Sequence, residues 1–204
     1  MRKRLLALCL VPLLAGCGYN TIQTLDEQAK AAQGQIEVQL QRRADLIPNL
    51  VSTVKGYAQH EEQVFSEVAT ARSGLINAVQ THDPQQMANA NAQLTSGLGR
   101  LFAVAEAYPQ LKADQGFLRL QDELTGTENR IAVARGDYNQ AAQQYNTYIR
   151  RFPAVLTAKV ISAKAKAYFE VTNPGAREVP KVDFSNPAPA GSTSTPPATP
   201  SPHP

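Results

Sequence analysis

The stretch that decides the fold is IQTLDEQAKAAQGQIEVQLQRRADLIPNLVSTVKGYA, residues 22–58. Its apolar positions are Ile22, Leu25, Ala29, Ala32, Ile36, Leu40, Ala44, Ile47, Val51, Val54 and Ala58, ten steps that cover 36 residues at a mean spacing of 3.6. That period belongs to a helix with one buried stripe. At about 1.5 Å per residue the helix would run roughly 55 Å, longer than most helices of globular domains. Pro48 interrupts the pattern. It cannot donate to the carbonyl of Ala44, so a kink is expected between Ala44 and Ile47, with a cleft opening beside it.

Downstream, Gly56 and the polar run Gln59 to Glu62 mark a turn, and Val64, Phe65, Val68, Ala71, Leu75 and Val79 carry a second, shorter helix. In Asp83-Pro84-Gln85-Gln86, Asp83 suits a helix cap, Pro84 the first helical position and Gln86 a capping-box spacing. The third helix carries Met87, Ala90, Leu94, Leu98, Leu101, Ala105 and Tyr108, and Pro109 ends it. After a polar connection from Lys112 to Gln115, a fourth long helix carries Phe117, Leu120, Leu124, Ile131, Ala134, Tyr138, Ala142, Tyr145 and Ile149 on one face. Pro153 breaks it, and a short helix from about Ala154 to Lys166 is expected across one end. The chain is rich in Ala and Gln and has no Trp. The expected class is all-α: an up-and-down, antiparallel four-helix bundle with coiled-coil-like seams and long first and fourth helices.

The segment before this domain reads as an address. Arg2, Lys3 and Arg4 precede an apolar run from Leu5 to Leu14, too short for a permanent bilayer span, and Leu14-Ala15-Gly16-Cys17 matches a bacterial lipoprotein signal. Residues 1–16 are therefore expected to be a signal peptide, with Cys17 lipidated (palmitate among the acyl chains) and 17–21 a short linker. Residues 22–184 form the helical domain, and 185–204, rich in Pro, Ser and Thr, form a disordered tail. Cleavage also changes the charge reading. The whole chain has 20 Lys+Arg against 17 Asp+Glu, but three of the basic residues leave with the leader, so the remainder is formally neutral. No global charge then draws the domain to nucleic acid or anionic lipid. Cys9 leaves and Cys17 is acylated, so no disulfide is expected within the domain.

Catalytic constellations are not evident. His60-Glu61 begins like a zincin helix, but Val64 stands where the second histidine is required, and no phosphate loop or nucleophile elbow occurs. No metal, cofactor or catalytic residue is expected, and the chain reads as a non-enzyme. Three polar groups do stand out: Arg42, Arg43 and Asp45 before Pro48; Glu106 at the end of the third helix; and Glu128, Arg130, Arg135 and Tyr138 in the fourth. In antiparallel helices these can form interhelical ion pairs, or a polar seam that docks a partner or a small anionic group. Tyr138 and Tyr145, seven apart, read as core residues whose hydroxyls reach its rim.

Gln39 to Val51, Val54-Lys55-Gly56-Tyr57, His60-Glu61, Glu106 to Ala113, Thr127 to Arg135, Tyr138-Asn139, Tyr145-Asn146 and Val182-Asp183-Phe184 together resemble the LemA family, over about Tyr19 to Phe184. The resemblance implies an α-helical bundle at the bacterial membrane, and no catalytic residues. Some relatives are associated with magnetosome membranes and others look like partners of membrane or envelope proteases. The lipoprotein signal, where the family usually has a transmembrane helix, places the domain on the outer side of the cytoplasmic membrane, facing the periplasm or exterior. In a Gram-negative cell Gly18 after Cys17 favours the outer membrane over the inner. The expected role is a scaffold or adaptor that engages another envelope protein, a protease or a membrane protein; the alternative is a binding protein for a small or peptidic ligand in a polar interhelical cleft.

Overall fold

A long helix with one apolar stripe needs partners along its whole length, and the fold supplies them from both directions. The computed structural model describes the backbone of residues 2–171 and the side chains of residues 18–171. The expectations for the Cys17 side chain, for Val182-Asp183-Phe184 and for the tail at 185–204 lie outside them. The described residues are all-helical apart from turns and one extended segment, with six helices: α1 (Arg2–Lys55), α2 (Glu62–Gln80), α3 (Pro84–Glu106), α4 (Pro109–Lys112), α5 (Gln115–Tyr148) and α6 (Ala154–Val160). Among these residues no helix is long and apolar enough to cross a membrane.

α1 packs most extensively on α5, in opposite directions: Ile22 clusters with Ile149, Arg43 meets Glu128 further along, and Tyr57 meets Asp114 just past the end of α1. α2 and α3 form a hairpin against the second half of α1. The two helices approach closely at Gly97, where a Cβ would sit in ordinary contact with Val68 Cγ2 at 3.5 Å. The main core contains Leu40, Leu50, Leu75, Leu94, Leu101 and Leu111, each 0% exposed. A smaller cluster of Ile22, Tyr145, Ile149 and Ala158 joins α1, α5 and α6.

The turn chemistry anticipated between α2 and α3 is present, with one change. Asp83 Oδ1 accepts from the amides of Gln85 and Gln86, and Pro84 occupies the first turn. The Gln86 side chain donates to Asp83 Oδ2 rather than returning to the amide of Asp83, which is taken by Thr81 Oγ1. Pro109 does more than end α3: it opens the one-turn α4, where its fixed φ and missing amide cost nothing.

Two expectations need correction. The helix continues through Pro48, and the cleft expected there is closed, with Ala44 and Ile47 each 1% exposed. The carbonyl that Pro48 leaves without a backbone donor is instead met by Arg72 of α2, whose Nε donates to Ala44 O at 2.8 Å. A buried carbonyl without a partner would cost about 1–3 kcal/mol, so this cross-helix bond is what lets the proline sit in α1. The second correction concerns the last helix, which ends at Val160 rather than Lys166. Ser162 adopts a left-handed φ of 54°, its amide bonds to Lys159 O and that of Ala163 to Ala158 O, a helix-ending reversal of the Schellman type. The chain then runs extended over residues 163–171 and lies along α5 as a strap.

Candidate functional site

The eight seam residues do not form one surface. Arg43 and Glu128 are brought together. Arg43 lies on the buried stripe of α1, three residues after Leu40 and four before Ile47, and its guanidinium pairs with Glu128 of α5. It also donates to Asn91 Oδ1 at 2.6 Å and Thr95 Oγ1 at 3.1 Å, both on α3. Burial pulls the Arg43 guanidinium below its usual range, while the charge of Glu128 opposes the effect. Nothing here is poised as a base or nucleophile; the cluster fixes the register of three helices through bonds that fail if any one slips.

The other candidates are dispersed. Arg42, about 100° around the helix from Arg43, is exposed and pairs with Glu123 at 2.7 Å. Asp45 accepts from Gln41 at 2.9 Å. Glu106 pairs with Lys112 across the α3–α4 turn. Arg130 is exposed at the wall of a shallow cleft of about 370 Å³ between α1 and α5, shared with Gln35, Gln39 and Asp137. Gln39 Oε1 is buried there without a hydrogen-bond partner. Arg135 is exposed and outside all of these contacts. Tyr138 belongs to the strap: it is 1% exposed and donates to Ala167 O at 2.7 Å. Burial pushes its hydroxyl up to about 12.

That strap depends on residues whose roles were not read from the sequence. Asn146 accepts from the amide of Lys166 at 2.7 Å and donates to its carbonyl at 2.9 Å. Asn139, two turns earlier, does the same for Phe169, at 2.8 and 3.3 Å. Seven helical residues rise about 10.5 Å and three extended residues advance about 10 Å. One amide per heptad therefore matches every third strap residue. Lys166 also reaches across to α1, 2.7 Å from Asp26, and lies over the Tyr145 ring at 5.1 Å. Burial alone would raise the Asp26 carboxyl; the hydrogen bonds and charges of Lys166 and Lys30 outweigh it and hold the group below its ordinary value.

At the far end two loops build a cleft of about 240 Å³ lined by Tyr57, Tyr108, Pro109 and Gln110. Leu111, 0% exposed, pins α4 into the core, and Phe102 meets Phe117 edge to face at 6.1 Å beneath it. The Tyr57 hydroxyl donates to Asp114 Oδ2 at 3.1 Å, while Asp114 Oδ1 caps α5 through the amide of Phe117 at 2.8 Å. That amide, with help from Tyr57, holds the Asp114 carboxyl below its ordinary value. The cleft is thus preformed, with two tyrosine rings and a proline at its surface. Among the described residues no group of three or more His, Cys, Asp or Glu is placed to hold a metal ion.

Comparison with known proteins gives these features a setting. The model of the LemA family matches residues 32–184. The chain is 30% identical over 175 residues to magnetosome protein MamQ 1 of Paramagnetospirillum magneticum, and 28% identical over 174 residues to magnetosome protein MamQ of Magnetospirillum gryphiswaldense. Each alignment covers 74% of this chain and 64% of the relative, so the chain spans less than two thirds of the length of these relatives. Protein LemA of Metamycoplasma hominis is 26% identical over 165 residues, covering 80% of this chain and 72% of that protein.

Proposed function

The chain belongs to the LemA family, and on that footing we propose that it is a membrane-anchored, non-enzymatic adaptor of the bacterial envelope. Cys17 carries the lipid, α1, α2, α3 and α5 act as an up-and-down four-helix bundle that stands off the membrane, and the far end engages another envelope protein. The observation that carries this reading is the cleft of Tyr57, Tyr108, Pro109 and Gln110, rigidly held at the end of α1 remote from Cys17. From Gly18 to Lys55 that helix spans about 55 Å. Tyrosines on a preformed surface supply contact area at low entropic cost, the usual make-up of a protein-binding spot. The flanking seam, by contrast, spends the buried Arg43 on Glu128, Asn91 and Thr95 of this chain. The MamQ relatives are magnetosome proteins by name, and a standing helical adaptor is a role that transfers between membrane systems without shared chemistry.

The test is photocrosslinking in intact cells with reactive groups at Gln110 and Glu106, beside controls at Arg135 and Arg42. A discrete adduct is expected at the first two positions, lost in the Tyr57→Ala/Tyr108→Ala chain while its melting temperature stays close to that of the parent. Equal labelling at all four positions, or none at the far end, would sink the proposal. A second reading, ligand binding in the cleft beside Arg130, is favoured by the unpartnered Gln39 Oε1 at its wall; a Gln39→Leu change that leaves every ligand-induced shift in melting temperature intact would end it.

A further inference from the structure

The end of the molecule beside Cys17 carries a feature that neither the adaptor role nor the core requires. α6 buries Ala154 and Ala158 and turns the opposite face outward: Leu156 is 57% exposed and Val160 85%, and Phe152, in the turn just before α6, is 81% exposed. Single exposed apolar residues are ordinary, but Leu156 and Val160, one helical turn apart, make a short stripe that the exposed Phe152 adjoins. Arg150, Arg151, Lys159 and Lys164 flank the stripe, and no acidic residue occurs between Ile149 and Lys164. None of these four cations forms an ion pair among the described residues, whereas the nearby Lys166 is spent on Asp26. A concentration of four unpaired cations is notable, because residues 22–184 are formally neutral only with these four counted.

Position gives the stripe its meaning. α6 packs on α1 at Gly18: a Cβ there would lie 3.4 Å from Thr157 Oγ1 and 3.8 Å from Ala154 Cα. Gly18 is the residue next to Cys17, and Tyr19 after it is 45% exposed. We infer that α6 is a membrane-contact face, with Phe152, Leu156 and Val160 entering the boundary between headgroups and acyl chains and the four cations meeting anionic lipid headgroups. Short apolar faces with Lys and Arg on their flanks bind bilayers in this way, and the attraction falls off within a Debye length, so the cations must lie near the surface. The inference rests on the anchored reading only for which end faces the bilayer. It adds that the anchor is one of two membrane signals, the second being sensitive to lipid charge.

Because the chain contains no Trp, Leu156→Trp and, separately, Val160→Trp each give the full acylated protein a single reporter. Tyr57→Trp supplies the same probe at the far end. Each protein is reconstituted on vesicles of phosphatidylcholine with about 30% phosphatidylglycerol, and on pure phosphatidylcholine, both with brominated acyl chains. The indoles of the Leu156→Trp and Val160→Trp chains are expected to shift to the blue and lose about half of their emission on the anionic vesicles, and clearly less on the neutral ones. The indole of the Tyr57→Trp chain is expected to respond to neither. Changing all four cations to Gln is expected to reduce the quenching in the Leu156→Trp chain to the neutral-vesicle level. Protein that floats with the vesicles while both α6 reporters behave like the far-end reporter overturns the contact face and leaves the anchor standing. Protein that does not float with anionic vesicles overturns both. A blue shift that persists in detergent micelles and grows with protein concentration assigns the stripe to a second copy of the chain and overturns the inference as well.

Discussion

Replacing Arg72 by Met tests how a proline is accommodated in the longest helix. The Arg72 Nε bond to Ala44 O at 2.8 Å is the substitute for the backbone bond that Pro48 cannot make. Ala44 is 1% exposed, so its carbonyl has no ready access to water once the guanidinium is gone. Met keeps much of the apolar stem, which limits the loss to the polar head. A hydrogen bond from a charged donor contributes about 1.5–3 kcal/mol, and Arg72→Met is therefore expected to destabilise by about 2 kcal/mol. Pro48→Ala supplies an amide to the same carbonyl, and in that background the cost of Arg72→Met should fall below about 1 kcal/mol, since the acceptor is no longer orphaned. The coupling between the two positions is then about 1–2 kcal/mol, well beyond the ~0.5 kcal/mol scatter of independent sites. Urea unfolding followed at 222 nm, with unchanged m values, measures the four corners of the cycle. Costs that simply add would refute the assignment, because the two residues would then not be serving one carbonyl.

Other outcomes follow from the same reasoning. Asn146→Ala removes both bonds to Lys166, so the Lys166 amide is expected to exchange with solvent about 10–100 times faster while α5 amides keep their protection, as read by hydrogen exchange. Arg43→Met leaves the buried Asn91 without its donor and removes the pair with the half-exposed Glu128, and should cost about 1–3 kcal/mol in urea unfolding, against under about 1 kcal/mol for the exposed Arg42→Met. Ser162→Gly relieves a left-handed residue and should stabilise α6 by up to about 1 kcal/mol, visible as a higher melting temperature. Tyr138 should titrate near 12 in ultraviolet absorbance; because its folded value lies above its unfolded one, that stabilisation is complete below pH 10 and is lost as pH rises towards 12. Asp26 has the opposite sign: its folded value is depressed, so the Lys166 contact holds above the ordinary carboxylate range and weakens as pH falls through the folded value. Strap opening at neutral pH, before either transition, would contradict both assignments.

The all-helical class, the turns near Gly56 and Thr81, and the orphaned carbonyl of Ala44 were legible in residue spacing and proline chemistry alone. The partner of that carbonyl was not, because Arg72 lies 28 residues away on another helix and its meeting with Ala44 is decided by how the helices dock. The buried polar residues did leave a signal that went unused. Arg43, Asn91, Thr127 and Asn146 all fall on the apolar stripe of their own helix, three or four residues from core positions, and all are buried. Reading Arg42 and Arg43 as one polar feature hid this, since adjacent residues differ by about 100° on a helix. The excess length given to α6 had a different cause. Ala163 to Lys166 favours helix locally, but Asn139 and Asn146 offer the extended backbone two pairs of hydrogen bonds, and those tertiary bonds prevail over propensity.

The same asparagines explain why the two ends of α1 are built so differently. Near Gly18, α6 packs against the side of α1, and the strap that leaves α6 ties α5 to α1 through Asn146 on one side and the Lys166 pair with Asp26 on the other. That end is braced twice, by a small apolar cluster and by a side-chain amide ladder that admits the strap only in steps of three residues. A one-residue slip would lose all four asparagine bonds at once. At the far end the loops are held by Leu111 and the Tyr57–Asp114 bond, and the aromatic and proline surface they present is left open. A helix pair braced towards Gly18 and open at its far end has the mechanical layout that the proposed adaptor needs: load applied at the tip would be carried by α1 and α5 to the braced end, where the proposed lipid on Cys17 and contact face of α6 would meet the bilayer.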